Sequence, residues 1–220
     1  MGVTVITGAN RGIGLELCRQ CAARGEEVIA IVRKSSEALD ALGVRVESNL
    51  DVSDDGVVGA LRDRLAGVDV GVLINNAGIL RRQGLDDMDW EGMRQQFEVN
   101  SLGPLRVTTA LLGNLSAGSK VAIVTSRMGS IADNDSGGSY GYRMSKAAVN
   151  AGAVSLANDL RGKEIAVGLL HPGWVKTEMT GGTGKVDAKE SAAGLLARID
   201  ALSLETSGGF WHMSGERLPW

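Results

Sequence analysis

The residues that decide the fold are VTVITGANRGIG, residues 3–14. The first five are all β-branched, which stiffens the chain into an extended strand. Residues 7–14 then read TGANRGIG, and beyond them Leu15, Leu17, Cys18, Cys21 and Ala22 recur on one face of a helix. Strand, glycine turn and helix in that order have a mechanism. Gly8 permits the sharp turn, Gly12 lets backbone approach a pyrophosphate, and Gly14 permits close packing of helix on strand. The N–H groups that open the helix face the anion, with Asn10, Arg11 and Ile13 filling the turn between the glycines. The spacing is GxxxGxG, a departure from the common dinucleotide pattern GxGxxG.

Outward from this turn the same alternation continues. Apolar, β-branched runs predict further strands at residues 27–32, 44–47, 68–74, 120–125, 165–170 and, more weakly, 209–213. Helical periodicity predicts helices at 12–24, 53–66, 88–115, 139–161 and 188–201. Parallel neighbours need crossover connections, so this order predicts a sheet covered by helices on both faces. Nearly continuous apolar strands such as VLI and VAIV agree, because such strands are buried on both sides. The expectation is one doubly wound α/β domain over residues 1–220, of the Rossmann type, with a mainly parallel sheet of about seven strands. Residues 180–188, TGGTGKVDA, have three glycines and few apolar anchors and are expected to form a mobile loop.

Composition narrows the chemistry. A chain of 220 residues is long enough for a core that buries about 70% of its unfolded surface. The net charge is -3, and lysines and arginines are scattered, so nucleic acid is not an expected partner. No apolar run approaches a membrane span and no basic-hydrophobic leader opens the chain, so a cytoplasmic protein with no membrane partner is expected. The only cysteines, Cys18 and Cys21, have CxxC spacing, and a thiol oxidoreductase is the weakest of three functional readings. Their place on the apolar face of the first helix favours small core residues instead. Two histidines, His171 and His212, are too few for a metal set.

Both tyrosines of the chain lie in SYGYRMSKAAVN, residues 139–150. Tyr142 stands four residues before Lys146, so the two share a helix face. A unit charge about 4 Å from the phenol, at an effective dielectric of about 20, is worth roughly 4 kcal/mol, or about three pKa units. The expectation is a phenol lowered toward neutrality, able to exchange a proton with a carbonyl or alcohol oxygen. Tyr140, six residues from Lys146, is read as a pocket wall or as packing.

TGxxxGIG at the start, NNAG at residues 75–78, Asn100, a serine closing the fifth strand, YRMSK at 142–146 and HPGWVKT at 171–177 occur in one order along the whole chain. In that order they resemble the short-chain dehydrogenase/reductase family. The stretch 126–150 and the ending GFWHMSGERLPW are most similar to the branch holding the sniffer-type carbonyl reductases and the bacterial C-factor signalling protein. The resemblance implies an NADP(H)-dependent oxidoreductase acting on a small carbonyl or alcohol substrate. Tyr142 would be the acid/base, Lys146 its tuner and a ribose ligand, and Asn100 would bend its helix and hold a water that relays protons.

For orienting the substrate oxygen the candidates are Thr125, Ser126 and Ser130; Ser126 is preferred because it ends a strand, and Ser130 stays open. By resemblance Asp51 and the Val52 backbone meet the adenine, Asn76 and Ala77 flank the adenosine, and the Val175 backbone and Thr177 hydroxyl hold the carboxamide. His171 is read as structural. The second strand ends in Arg33 and Lys34 with no acid before Glu37, so Arg33 and Arg11 are expected to hold a 2′-phosphate and favour NADP(H) over NAD(H). The resemblance also implies a homodimer through the helices 88–115 and 139–161, where small residues at 147, 148 and 151–153 would allow close approach. A cofactor-binding signalling protein with incidental turnover is the alternative reading.

Overall fold

The structure is a computed structural model and describes residues 2–220. Seven strands, β1 (Val3–Thr7), β2 (Val28–Ile31), β3 (Arg45–Glu47), β4 (Val70–Asn75), β5 (Leu115–Val124), β6 (Ala166–His171) and β7 (Phe210–His212), form one sheet in the order β3-β2-β1-β4-β5-β6-β7. Every pairing is parallel, with Val5 opposite Ile29 on one side and Leu73 on the other. The crossovers carry α1 (Gly12–Ala23), α2 (Glu37–Asp40), α3 (Val57–Arg64), α4 (Trp90–Phe97), α5 (Gly103–Ala110), α6 (Tyr140–Leu160) and α7 (Ala188–Asp200).

Side chains alternate across each strand, so the sheet feeds two cores. Val5, Ile29, Ile31, Val121 and Ile123 pack on one face with Leu61 of α3, Val107 of α5 and Val149 and Ala153 of α6. Ile6, Ala30, Ala122 and Val124 pack on the other with Leu17, Cys18 and Cys21 of α1 and Leu195 and Ile199 of α7. Both cysteines are free and fully buried; burial pushes Cys18 up to about 12 and raises Cys21 as well, with Glu26 adding to the second shift. Neither is a thiolate at working pH, which removes the thiol-oxidoreductase reading. Among the described residues no helix is long and apolar enough to cross a membrane.

The helix expected over 88–115 is not continuous. Between α4 and α5 the chain opens into a π-turn, Glu98–Leu102, in which the Gly103 N–H reaches back five residues to the Glu98 carbonyl. Pro104, which has no N–H for the ordinary helical bond, stands directly after it. The helix ends at Ala110, and β5 begins at Leu115, five residues before the expected start, with a register irregularity against β4 between Val70 and Val72. The helix expected from residue 53 begins instead at Val57, because Ser53 is drawn to the Asp51 carboxylate. The short α2, capped by the Ser36 hydroxyl on the Leu39 N–H, has too few residues to show a period. The segment expected to be a mobile loop is tied back by a Val175–Val186 bridge and by the Lys185 N–H on the Trp174 carbonyl at 2.7 Å.

Candidate active site

The chain reverses its direction of travel across the sheet between β1 and β4, which leaves a crevice beyond the carboxyl ends of the strands, and the functional residues gather there. The glycine turn forms one wall. Gly8 and Gly12 both have positive φ, 67° and 55°. A Cβ on Gly14 would stand 2.3 Å from the Gly8 carbonyl oxygen, so only glycine lets α1 approach the turn this closely. The first helical turn of α1 holds no acid and Arg11 gives it no side-chain cap, so its N–H groups face the cleft as an anion site. Ile13 packs partly on the core, while the Asn10 carbonyl accepts the Ser36 hydroxyl at 2.7 Å and so joins the turn to the start of α2.

Asn76 holds this wall to the next. Its amide donates to the Thr7 and Gly8 carbonyls at 3.0 and 3.1 Å, and the Thr7 hydroxyl accepts the N–H groups of Asn76 and Ala77, both at 3.0 Å. Asn76 therefore shapes the turn with its side chain, and Thr7, which sequence reasoning passed over, organises both segments. Val52 is buried beside Gly103, and Asp51 accepts the Ser53 N–H and hydroxyl at 2.9 and 2.7 Å. Burial raises the Asp51 carboxyl, but the Ser53 bonds and Arg33, 3.6 Å away, outweigh it and hold the group below its ordinary value. Arg11 and Arg33 both line the cleft, each with a carboxylate partner: Glu178 for Arg11, Asp51 for Arg33.

On the opposite side Ser126, Tyr142 and Lys146 converge from β5 and α6. Thr125 donates its hydroxyl to Asn150 at 2.7 Å, and Ser130 accepts the Asp133 N–H at 3.0 Å, so both have structural partners. Ser126 accepts the Met128 N–H at 3.1 Å, and of the three its hydroxyl is the one that acts on the Tyr142 phenol. Lys146 is 4% exposed, donates to the Val124 carbonyl at 2.9 Å, and has its ammonium over the Tyr142 ring, 5.8 Å from the centroid. Burial lowers the ammonium to about 8. The expected fall of the phenol is corrected here: desolvation raises Tyr142, only the Ser126 bond opposes it, and the lysine, bound to Val124, does not lower it.

Asn100 sits in the π-turn, 1% exposed, with its oxygen on the Ile79 N–H at 2.8 Å and its amide on the Ile79 carbonyl and the Ser145 hydroxyl at 2.9 and 3.0 Å. Ser145, unremarked in the YRMSK motif, joins Asn100 to the Tyr142 carbonyl, which accepts its hydroxyl at 2.8 Å. Gly78 keeps open the gap between these groups; a Cβ there would lie 3.3 Å from the Asn100 oxygen and 3.7 Å from the Lys146 ammonium. The Val175 carbonyl accepts the Thr180 hydroxyl at 2.7 Å, and Val175, which is buried, lies outside the residues that line the cleft. The Thr177 methyl stands 3.5 Å from where a Gly12 Cβ would be, so the segment after β6 closes over the glycine turn. Burial, then His212, Arg127 and Lys146, hold His171 down to about 3; it stays neutral and packs 5.2 Å from the His212 ring.

Residues 2–187 match the short chain dehydrogenase family. The chain belongs to the short-chain dehydrogenase/reductase family. As a member it is an oxidoreductase of the carbonyl-reductase-like kind. One relative of this short-chain dehydrogenase/reductase, the 1-hydroxy-2-glutathionyl-2-methyl-3-butene dehydrogenase of a Rhodococcus strain, is 41% identical over the full length of both chains. Another, C-signal of Myxococcus xanthus, is 49% identical over 69% of this chain and 93% of its own. The carbonyl reductase Sniffer of D. melanogaster superposes over all of both chains with TM-score 0.90 at 27% identity. An NADPH-bound carbonyl reductase from chicken fatty liver does so over 100% of this chain and 99% of its own, with TM-score 0.88 at 30% identity.

Proposed function

We propose that the protein is an NADP(H)-dependent carbonyl reductase, or alcohol dehydrogenase in reverse, with Tyr142 as its acid/base. The observation that carries this is the meeting of Tyr142 and Lys146, with Ser126 behind the phenol, on a cleft whose far wall is an uncapped helix N-terminus behind a glycine turn. The residues fit a dinucleotide: Gly12 leaves room for a pyrophosphate, Arg11 and Arg33 flank the adenosine end, and Asp51, Val52 and Ala77 line the wall between. Lys146 meets the ribose, and Thr177 holds the carboxamide. When bound, the nicotinamide supplies or accepts the hydride.

The chain's own residues handle the proton. Ser126 and Tyr142 both donate to the carbonyl oxygen, and as the oxygen gains charge Tyr142 gives up its phenolic proton. A phenol held above its ordinary value remains protonated at neutral pH, which suits reduction. Lys146 and Asn100 face one another across the gap at Gly78, where a water would pass a replacement proton by way of Lys146 toward Tyr142. Trp174 and Met179, 51% and 45% exposed, give the outer mouth an apolar rim. The Rhodococcus relative's name supports an alcohol or carbonyl compound as the substrate class.

The test is NADPH oxidation with a panel of aldehydes, ketones and quinones. Turnover with any of them is expected; cofactor binding with no turnover across the panel would favour the second reading, a cofactor-binding signalling protein, which rests on the identity to C-signal. The proposed assembly is a homodimer through α4 and α6. Ala153 and Gly152 face inward, onto the core and Leu105, but Met144, Ala148, Ala151 and Ser155 follow one helical stripe beside exposed Phe97. A monomer mass by light scattering at micromolar concentration would count against it.

A further inference from the structure

The segment after β6 meets the glycine turn at two points, and the second has no part in the chemistry above. The Thr177 methyl packs over Gly12, and next to it the Glu178 carboxylate pairs with the Arg11 guanidinium. Arg11, Thr177, Glu178 and Met179 all line the one cleft, so the pair spans its mouth from wall to wall. Both side chains are well exposed, 64% and 75%, and an ion pair in water is weak and exchanges readily. A phosphate offers the same arginine more charge and more acceptor oxygens than a carboxylate does.

We propose that Glu178 is a cofactor-discriminating residue: it occupies Arg11 in the free protein, competes there with the 2′-phosphate of the dinucleotide, and is released when that phosphate binds. The proposal rests on the NADP(H) reading. It extends that reading to a residue outside the motifs and couples the phosphate to the substrate side. Glu178 opens a tight 3₁₀ turn, Glu178–Thr180, that the Thr180 hydroxyl ties to the Val175 and Thr177 carbonyls at 2.7 and 3.0 Å. Releasing Glu178 removes an ion pair that ties this turn to the glycine wall, and a cofactor without the phosphate leaves the latch shut. Arg33 is held by Asp51 in the same way at the neighbouring position, so with their partners in place the two arginines offer the phosphate little net charge.

The test is calorimetric titration of the cofactor-free protein with NADP+ and with NAD+, which needs no turnover. Glu178→Gln is expected to tighten NADP+ by about threefold to tenfold and to leave NAD+ within about twofold. Glu205→Gln, an exposed acid elsewhere, should change neither, and Arg11→Ala should abolish the gain when combined with Glu178→Gln. Trypsin cleavage at Lys176 and Lys185, which flank the strap, should change with NADP+ and not with NAD+. An unchanged NADP+/NAD+ ratio in Glu178→Gln, or equal tightening of both, would overturn this proposal while leaving the cofactor reading intact. A wild-type protein that does not bind NADP+ would overturn both.

Discussion

Lys146 lies over the ring of Tyr142, 5.8 Å from its centroid, and gives its hydrogen bond to the Val124 carbonyl at 2.9 Å. The helical spacing that brings the two residues together therefore does not by itself acidify the phenol. In the proposed reaction Tyr142 acts as a protonated acid. Tyr142→Phe should cost at least about a hundredfold in kcat while the dissociation constant for NADP+ changes little, because the ring and its packing remain. Reductive kcat/KM should be level below pH about 8 and fall above it as Lys146 loses its charge, whereas oxidative turnover should rise with pH as the phenol deprotonates. An alkaline optimum for reduction would contradict this order.

Ser126 and Ser130 each accept a backbone N–H, from Met128 and Asp133, but only Ser126 also acts on the Tyr142 phenol. Ser126→Ala should lower kcat by about one to two orders of magnitude and cost about 1 kcal/mol of stability. Ser130→Ala should keep most of the turnover and lose about 1 kcal/mol of stability. The reverse pattern in paired kinetic and thermal measurements would move the orienting role to Ser130.

Lys146 also leaves a thermodynamic trace. Its folded value is about 8 against 10.5 for the free group, because burial disfavours the charged form. Below pH 8 the ammonium is protonated in both states and the full penalty, about 3 kcal/mol, is present. Between 8 and 10.5 the unfolded chain binds more protons, so this contribution makes stability rise with pH. Lys146→Met removes the term. The melting temperature of the variant relative to wild type should fall steadily across that window, and a constant difference would show that the lysine is not desolvated.

Arg33 stands where a carboxylate would select NADH. NADPH should be preferred, and Arg33→Asp should shift the kcat/KM ratio toward NADH by at least about tenfold, since the change removes a charge-assisted contact and adds a repulsion beside Asp51. Equal wild-type values for the two cofactors would refute the assignment.

The sheet and the placement of the motifs were legible because the central strands β1, β2, β4 and β6 are buried on both faces and read as apolar runs, and because glycine marks the turns. What escaped was set by single contacts. Nothing in a periodic pattern says that Ser53 will turn back to Asp51 and delay α3, or that Pro104 will follow a π-turn holding Asn100. The state of the Tyr142 phenol was misjudged for the same reason: spacing gives the face that Lys146 shares, while the Val124 carbonyl decides where its ammonium rests.

The bond from the Asn76 amide to the Gly8 carbonyl joins positions 68 residues apart in the chain. During synthesis the glycine turn leaves the ribosome long before the side chain that shapes it, and the Thr177 cover follows only after a further hundred residues or so. A nascent fragment ending before β4 thus carries the letters of the proposed phosphate site without the pocket they spell, and the proposed cofactor could not rescue it early. Any aid that the dinucleotide gives to folding arrives late, when most of the sheet has already been made.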